Sequence, residues 1–344
     1  MRRVQLWTGA AAALLVSIAL SSAPLAGQSA SAGKAGAAGS GPAKTAAFRT
    51  PWGDPDLEGI WTGSTITPLE RPAKFASRKY LTDTEAAELE KQAVADQVDR
   101  PPRAGDPGTY NQVWFDPSSK VLPDRRTSLI VDPPDGRIPY TPEGARAQES
   151  ARLSYGHGDY STWLGMDTGE RCITDGPPIY FSGYNNNYQI VQSRGYVSIL
   201  HELYRELRVI PVNGQPVSKL AALDGNPRGH WDGDTLVVES SHFREIPGAR
   251  WADAWRAVRP STRLVERFRR VDQHTLDYQF TWEDPVMFTR PWTASFPLTN
   301  DQRSRGVTSG QLYEYACHEA NYALANVLRG ARLAEAAAKK TSSK

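Results

Sequence analysis

This chain of 344 residues is short of several things. It holds two cysteines, three methionines and six histidines, and between Lys120 and Lys339 its one lysine is Lys219. The histidines at 157, 201, 230, 242, 274 and 318 are too scattered for ligand-like spacing, so nothing in the sequence requires a metal and no cofactor is expected. Charge of one sign is lacking too. Forty basic against 38 acidic residues leave +2, which excludes a dedicated nucleic-acid surface. Apolar runs of any length are confined to residues 6–20, and a mean hydropathy of −0.51 excludes a multi-span membrane protein. There is no Gly-x-Ser-x-Gly elbow and no phosphate-binding Walker loop. Gly156-His-Gly-Asp-Tyr-Ser161 is a fragment of the dinucleotide fingerprint without a strand before it. His318-Glu-Ala-Asn-Tyr322 begins like a zinc-protease helix but carries Tyr322 where the second histidine belongs.

What is present starts with an export signal. Arg2 and Arg3 precede the apolar run, and small residues follow from Ser21, the pattern of a secretory signal peptide over residues 1–27. The rival, a retained anchor, is short for a span, and no cysteine lies at the boundary for a lipid anchor. The expectation is a periplasmic or secreted protein with no stable membrane span after signal cleavage. Residues 28–47, mostly Ala, Gly, Ser and Lys, form a flexible linker. A single β-rich domain over 48–332 follows, then an Ala-rich helix fraying into a disordered tail over 333–344. In an exported chain the two cysteines, Cys172 and Cys317, most simply form one disulfide, stabilising by about 4–5 kcal/mol in the chain-entropy model. Two buried thiols, or one reactive thiol, are the competing assignments.

The local pattern is mostly β. A short strand over 57–63 carries Trp61. A helix over 83–98 opens on Thr82 and Glu85, spaced as a capping box, and stops at Pro101–Pro102. Strands are expected over 110–116 and 127–132, with a turn at Asp132-Pro-Pro-Asp-Gly136. From Tyr184 onward, strands over 187–192, 196–210, 229–243, 263–271, 275–283, 290–298 and 312–317 read as a meander, with an Asp-Gly hairpin signal in Trp231-Asp-Gly-Asp234. This is a mainly β fold: an antiparallel up-and-down, lipocalin-like barrel or a strongly curled sheet with short peripheral helices. No strand–helix alternation supports a nucleotide-binding α/β fold.

Several strings carry a resemblance: Arg126-Thr-Ser-Leu-Ile-Val-Asp-Pro-Pro-Asp-Gly-Arg137, Tyr184-Asn-Asn-Asn-Tyr-Gln-Ile190, Arg228-Gly-His-Trp-Asp-Gly-Asp-Thr-Leu-Val-Val-Glu239, Asp284-Pro285, Pro291-Trp-Thr293 and Tyr313-Glu-Tyr-Ala-Cys-His-Glu-Ala-Asn-Tyr322. Through them, residues 50–332 resemble a widespread family of uncharacterised bacterial exported proteins. The resemblance implies a β-rich, barrel-like domain and brings no activity with it. In Glu202-Leu-Tyr-Arg205-Glu-Leu-Arg208, Arg205 stands where that family commonly has histidine; were that histidine a catalytic base, this chain would lack it.

Candidate chemistry concentrates in three places. Read as one strand, residues 196–210 put Val197, Ile199, His201, Leu203, Arg205 and Leu207 on one face. His201 would then be an acid or base and Arg205 an anion clamp. The alternative pairs Arg205 and Arg208 with glutamates and leaves His201 satisfied in the core. A bulge would swap the faces and make Glu202 and Arg208 the inward pair. In the second place, helix onset after Cys317 would set His318 and Tyr322 on one face as base and acid; a C-terminal helix docked on the barrel is the bland counterpart. The third is Tyr184-Asn-Asn-Asn-Tyr188, in which Tyr184, Asn186 and Tyr188 would meet a sugar or polyphenol, or else make a turn. Trp231 and Trp292 would add aromatic walls, although strand tryptophans mostly fill cores. Trp251 and Trp255 would form a lid or a staple.

Three functions fit: a barrel binding a small or medium amphipathic molecule (a glycan or plant-derived aromatic) in an aromatic-lined pocket, a metal-independent lyase, isomerase or hydrolase in the same pocket, and a structural envelope protein. The expected partner is a small-molecule or oligosaccharide ligand.

Overall fold

Alternation of inward apolar and outward polar residues is carried through successive segments after Asn187, and each becomes a strand whose neighbour in sequence is its neighbour in space. The computed structural model describes residues 48–98, 115, 118–154, 160–181, 183–214, 216, 218–245, 253–301, 312–319 and 321–342, all within one unit, Lys44–Lys344. The signal peptide over 1–27, the linker over 28–47, nearly all of the expected 110–116 strand, most of the 156–161 fragment and Trp251 lie outside the described residues.

The strands are β1 (Gly59–Thr62), β2 (Ile130–Asp132), β3 (Asn187–Ser193), β4 (Tyr196–His201), β5 (Glu206–Pro211), β6 (Asn226–Asp232), β7 (Thr235–Ser241), β8 (Arg263–Arg270), β9 (Thr275–Glu283) and β10 (Trp292–Thr299). They pair in the order β5-β4-β3-β1-β10-β9-β8-β7-β6, with β2 added to β10. Every pair along that path is antiparallel. Nine strands make eight antiparallel steps, so the two end strands must run parallel. They meet in a parallel bridge between Val212, the residue after β5, and Gly229, where the Asn213 amide donates to the Gly229 carbonyl at 3.0 Å. The sheet is therefore a nearly closed up-and-down barrel, as expected. A Cβ at Gly229 would meet Ile210 and Val212 at 3.0 Å, so glycine lets this seam draw shut.

Inside, alternate residues interleave: Trp61, Tyr188, Phe268, Tyr278, Phe280, Trp282, Trp292 and Phe296 are all buried. Trp255, in a 3-10 turn over Ala254–Arg256, closes one end with its ring 5.4 Å from Trp292 and 5.5 Å from Tyr180. Its place in the core makes it a plug. The helices are α1 (Asp83–Asp96), with both halves of the Thr82–Glu85 capping box formed, α2 (Pro142–Ser154) and α3 (Ala323–Ser342). The sequence reading missed α2. Strong helix formers keep α3 regular to Ser342, so the segment expected as a disordered tail is helical over most of its length. Segment 312–317 is not a strand: it has no ladder partner among the described residues.

Candidate functional site

The expected strand over 196–210 is two strands. β4 stops at His201, and Glu202–Arg205 turn back so that Glu206 pairs with His201. Tyr204 and Arg205 turn with φ of 59° and 54°. The turn resets the alternation, which corrects the single-face expectation. His201 and Arg208 both point into the barrel, while Leu207 and the Arg205 side chain lie outside. Arg205 is no interior clamp: its Nη1 donates to Glu314 Oε1 at 2.7 Å on the surface. Cys172 and Asn185 also sit at positive φ in this neighbourhood. Four non-glycine residues in that sparsely populated region mark a place over-determined by its surroundings.

Those surroundings are visible. Glu202 is buried, its Oε2 accepting from the Asn187 amide and Nδ2 at 3.3 and 2.8 Å and its Oε1 from the Tyr313 amide at 2.6 Å. Tyr315 stacks on Tyr184 and meets Tyr204 edge-on at 5.0 Å. Cys172 and Cys317 are disulfide-bonded, with Cα atoms 5.7 Å apart. The 312–317 segment is thus a strap bound across the β4–β5 turn. Two of the sequence's candidate clusters, 184–188 and the start of 201–208, meet here under the strap. Burial pushes the Tyr184 phenol up to about 12.

Below the strap lies His201, stacked on Tyr188 with centroids 4.1 Å apart. Desolvation lowers its pKa to about 4, against the attraction of Asp175 and a hydrogen bond to the Asn185 backbone. The imidazole is neutral near pH 7. Tyr188 donates to the Tyr180 carbonyl at 2.6 Å, and burial raises its pKa. Glu206 accepts from the Asp175 and Gly176 amides at 3.1 and 2.9 Å. Arg208 donates from both Nη atoms to Glu266, which also accepts from the Tyr278 hydroxyl at 2.8 Å. Between His201, Tyr188, Arg208 and the Pro177–Pro178 segment the free volume is about 10 Å³, room for one water. This end of the barrel holds titratable groups, but they are fastened to one another.

The remaining candidates disperse. His318 and Glu319 lie exposed in a turn, and α3 starts only at Ala323, so the helical pairing of His318 with Tyr322 does not form; Tyr322 is exposed. Asn186 is buried beside β3. Trp292 is fully buried against Phe280 and Trp255, and Trp231 is half-buried on the edge of the core. Among the described residues no group of three His, Cys, Asp or Glu side chains is placed to hold a metal ion.

A far roomier concavity among the described residues lies on the outer wall. The strand register builds two transverse rows: Thr235, Arg269, Asp277 and Pro297, and beside it Arg267, Gln279 and Ser295. Facing them is a lip in which Tyr80 bridges Arg126 and the Arg126 Nη2 donates to the Ser295 carbonyl at 3.0 Å. The groove between encloses about 630 Å³, within the usual range for small-molecule sites. Lys79, Arg126, Arg267 and Arg269 line it against Asp124 and Asp277. None of these residues was singled out from sequence. The outward alternation of Arg267 and Arg269 is legible in Arg263-Leu-Val-Glu-Arg-Phe-Arg-Arg270, but the opposing lip comes from far along the chain. No family model, curated protein or solved structure matches the chain.

Proposed function

We propose that this is an extracytoplasmic binding protein whose barrel is a filled, rigid frame and whose ligand, a small polar molecule, sits in the outer-wall groove. The observation that carries the reading is the contrast in free volume: about 630 Å³ outside against about 10 Å³ beside His201. A ligand-sized molecule has no room among the interior rings at the sealed end. The disulfide supports a location outside the cytoplasm, as does the export-like start of the sequence. No helix among the described residues is long and apolar enough to cross a membrane.

Acid–base catalysis at His201 loses support on geometry, because the ring is stacked, hydrogen-bonded and walled off from anything larger than water. The test is a thermal-shift screen of the mature protein against acidic and neutral oligosaccharides, lignin-type aromatics and terpenoids, repeated on Arg269→Gln. Stabilisation by a polar compound that vanishes in Arg269→Gln is the expected result. Stabilisation by an apolar aromatic, unchanged in that variant, would move the site back into the barrel.

A further inference from the structure

We infer that the groove is built for an oligosaccharide carrying carboxylates, a uronate chain, rather than for a compact anion. This rests on the reading of the groove as the binding site and adds the class of ligand. Arg267 and Arg269 are alternate outward residues of β8, so their backbone positions are about 7 Å apart along the strand. Lys79 stands on the opposite lip, beside an Arg126 that is 11% exposed and tied to Asp124 at 2.6 Å. Cationic charge is therefore spread along and across the groove, where a phosphate-sized ion would reach only part of it.

Between the cations lie groups of a different kind. Gln279 and Ser295 are neutral hydrogen-bonding residues in the second row, and Asp277 is a carboxylate beside Arg269 in the first. A ligand that was anion throughout would meet Asp277 and Asp124 as repulsion. One that alternates carboxylates with hydroxyls meets arginine with the first and aspartate, glutamine or serine with the second. Tyr80, largely exposed at the lip, offers a flat ring of the kind on which a sugar face rests.

The arginines are not free. Arg269 pairs with Asp277, and Arg267 with Asp232 at 2.8 Å. Both pairs are about half exposed, and such pairs are weak. A ligand carboxylate can take over the guanidinium in bidentate fashion while the released aspartate accepts a sugar hydroxyl. A buried pair would not permit that exchange.

The experiment is calorimetric titration of the full mature chain with trigalacturonate, its fully methyl-esterified form, citrate and a short glutamate peptide. Trigalacturonate should bind with an affinity that falls as salt rises. The methyl ester, which keeps every hydroxyl and loses the charge, should bind at least tenfold more weakly, as should citrate and the peptide. Arg267→Gln/Arg269→Gln should cost trigalacturonate at least tenfold with an unchanged melting temperature, and Tyr80→Ala should cost a smaller factor. Equal binding of the methyl ester would overturn the requirement for carboxylates while leaving a glycan site in the groove. Citrate as tight as trigalacturonate would reduce the groove to a compact-anion site, and a tighter peptide would make it a peptide site. No binding by any of the four, with the earlier screen also silent, would sink both the ligand class and the site.

Discussion

Two arginine–carboxylate pairs separate the inside of this barrel from its outer wall. Arg208–Glu266 lies in the interior with side-chain exposures of 8% and 0%, shared with the Tyr278 hydroxyl. Arg269–Asp277 lies on the wall with exposures of 48% and 50%. The chemistry is the same and the consequences are opposite. Inside, each ion has left water, and neither can lose its partner without stranding a charge. Outside, water stands ready to replace either partner, so the pair adds little to stability and is open to exchange. Charge in the interior is locked to its partner, and charge on the wall is exchangeable.

The largest effect should come from breaking the interior pair. Glu266→Ala leaves Arg208 buried without a counterion and should destabilise by about 3–5 kcal/mol, read as a fall in the urea midpoint. Replacement of both partners by apolar residues should cost much less. A single substitution with no more effect than a surface change would show that water reaches Arg208 and that the interior is not sealed.

Loss of the Cys172–Cys317 bond comes next. Cys172→Ser/Cys317→Ser should lower stability by about 2–5 kcal/mol and should leave binding in the groove unchanged, since the strap lies across the β4–β5 turn and outside the groove lining. A lost groove affinity in that variant would join the two regions that the comparison separates.

His201 gives a smaller effect that depends on pH. Its pKa of about 4 in the fold lies below the ordinary 6.5, so between those values the unfolded chain binds the proton that the fold refuses. Stability from this group is full above pH 6.5 and is lost as pH falls toward 4, by on the order of 3 kcal/mol in all. Asp253, raised to about 6 by burial, works in the other sense, losing stability as pH rises from 3.8 to 6. The comparison that isolates the histidine is wild type against His201→Gln: their difference in urea midpoint should shrink steadily from pH 7 to pH 4. A difference independent of pH would mean that His201 titrates normally and is open to solvent.

The smallest effect belongs to the wall. Arg269→Gln should change stability by less than about 1 kcal/mol, with melting curves superimposable on wild type. A large loss there would show that the outer pair is structural, and the groove would lose one of its exchangeable ions.

Much of the frame was legible because it is written in local pattern. The capping box at Thr82 and Glu85, the Asp-Gly turn between β6 and β7 and the alternation through β8 and β9 each depend on neighbours a few residues away. The run over 196–210 misled for the same reason. Nothing in Glu202-Leu-Tyr-Arg205 looks like a turn, since neither glycine nor asparagine marks the left-handed residues. It is the strap, bonding Glu202 and Arg205 from more than a hundred residues away, that accompanies the bend. Segments 184–188 and 201–208 were each recognised as candidates, and they do meet, but under 313–317, which read as a strand, while the candidates His318 and Tyr322 beyond it stay exposed. That these three segments satisfy one another could not be read from any of them alone. The groove is the limiting case: Arg267 and Arg126 are ordinary surface arginines until the register of β9 and β10 sets them across from each other.

The order of strands bears on how the chain is made. β1, the first barrel strand, lies between β3 and β10, with Thr62 paired to Thr299. A chain emerging from its N-terminus can assemble the meander strand by strand, but it carries two open edges until the last strand arrives. Closure thus waits on the pairing of β10 with β1, strands far apart in the sequence, and such long-range pairing folds slowly. A chain stopped before residue 292 would keep β1 and β9 as naked edges able to recruit other copies. Arrival of β10 is what covers both of those edges at once.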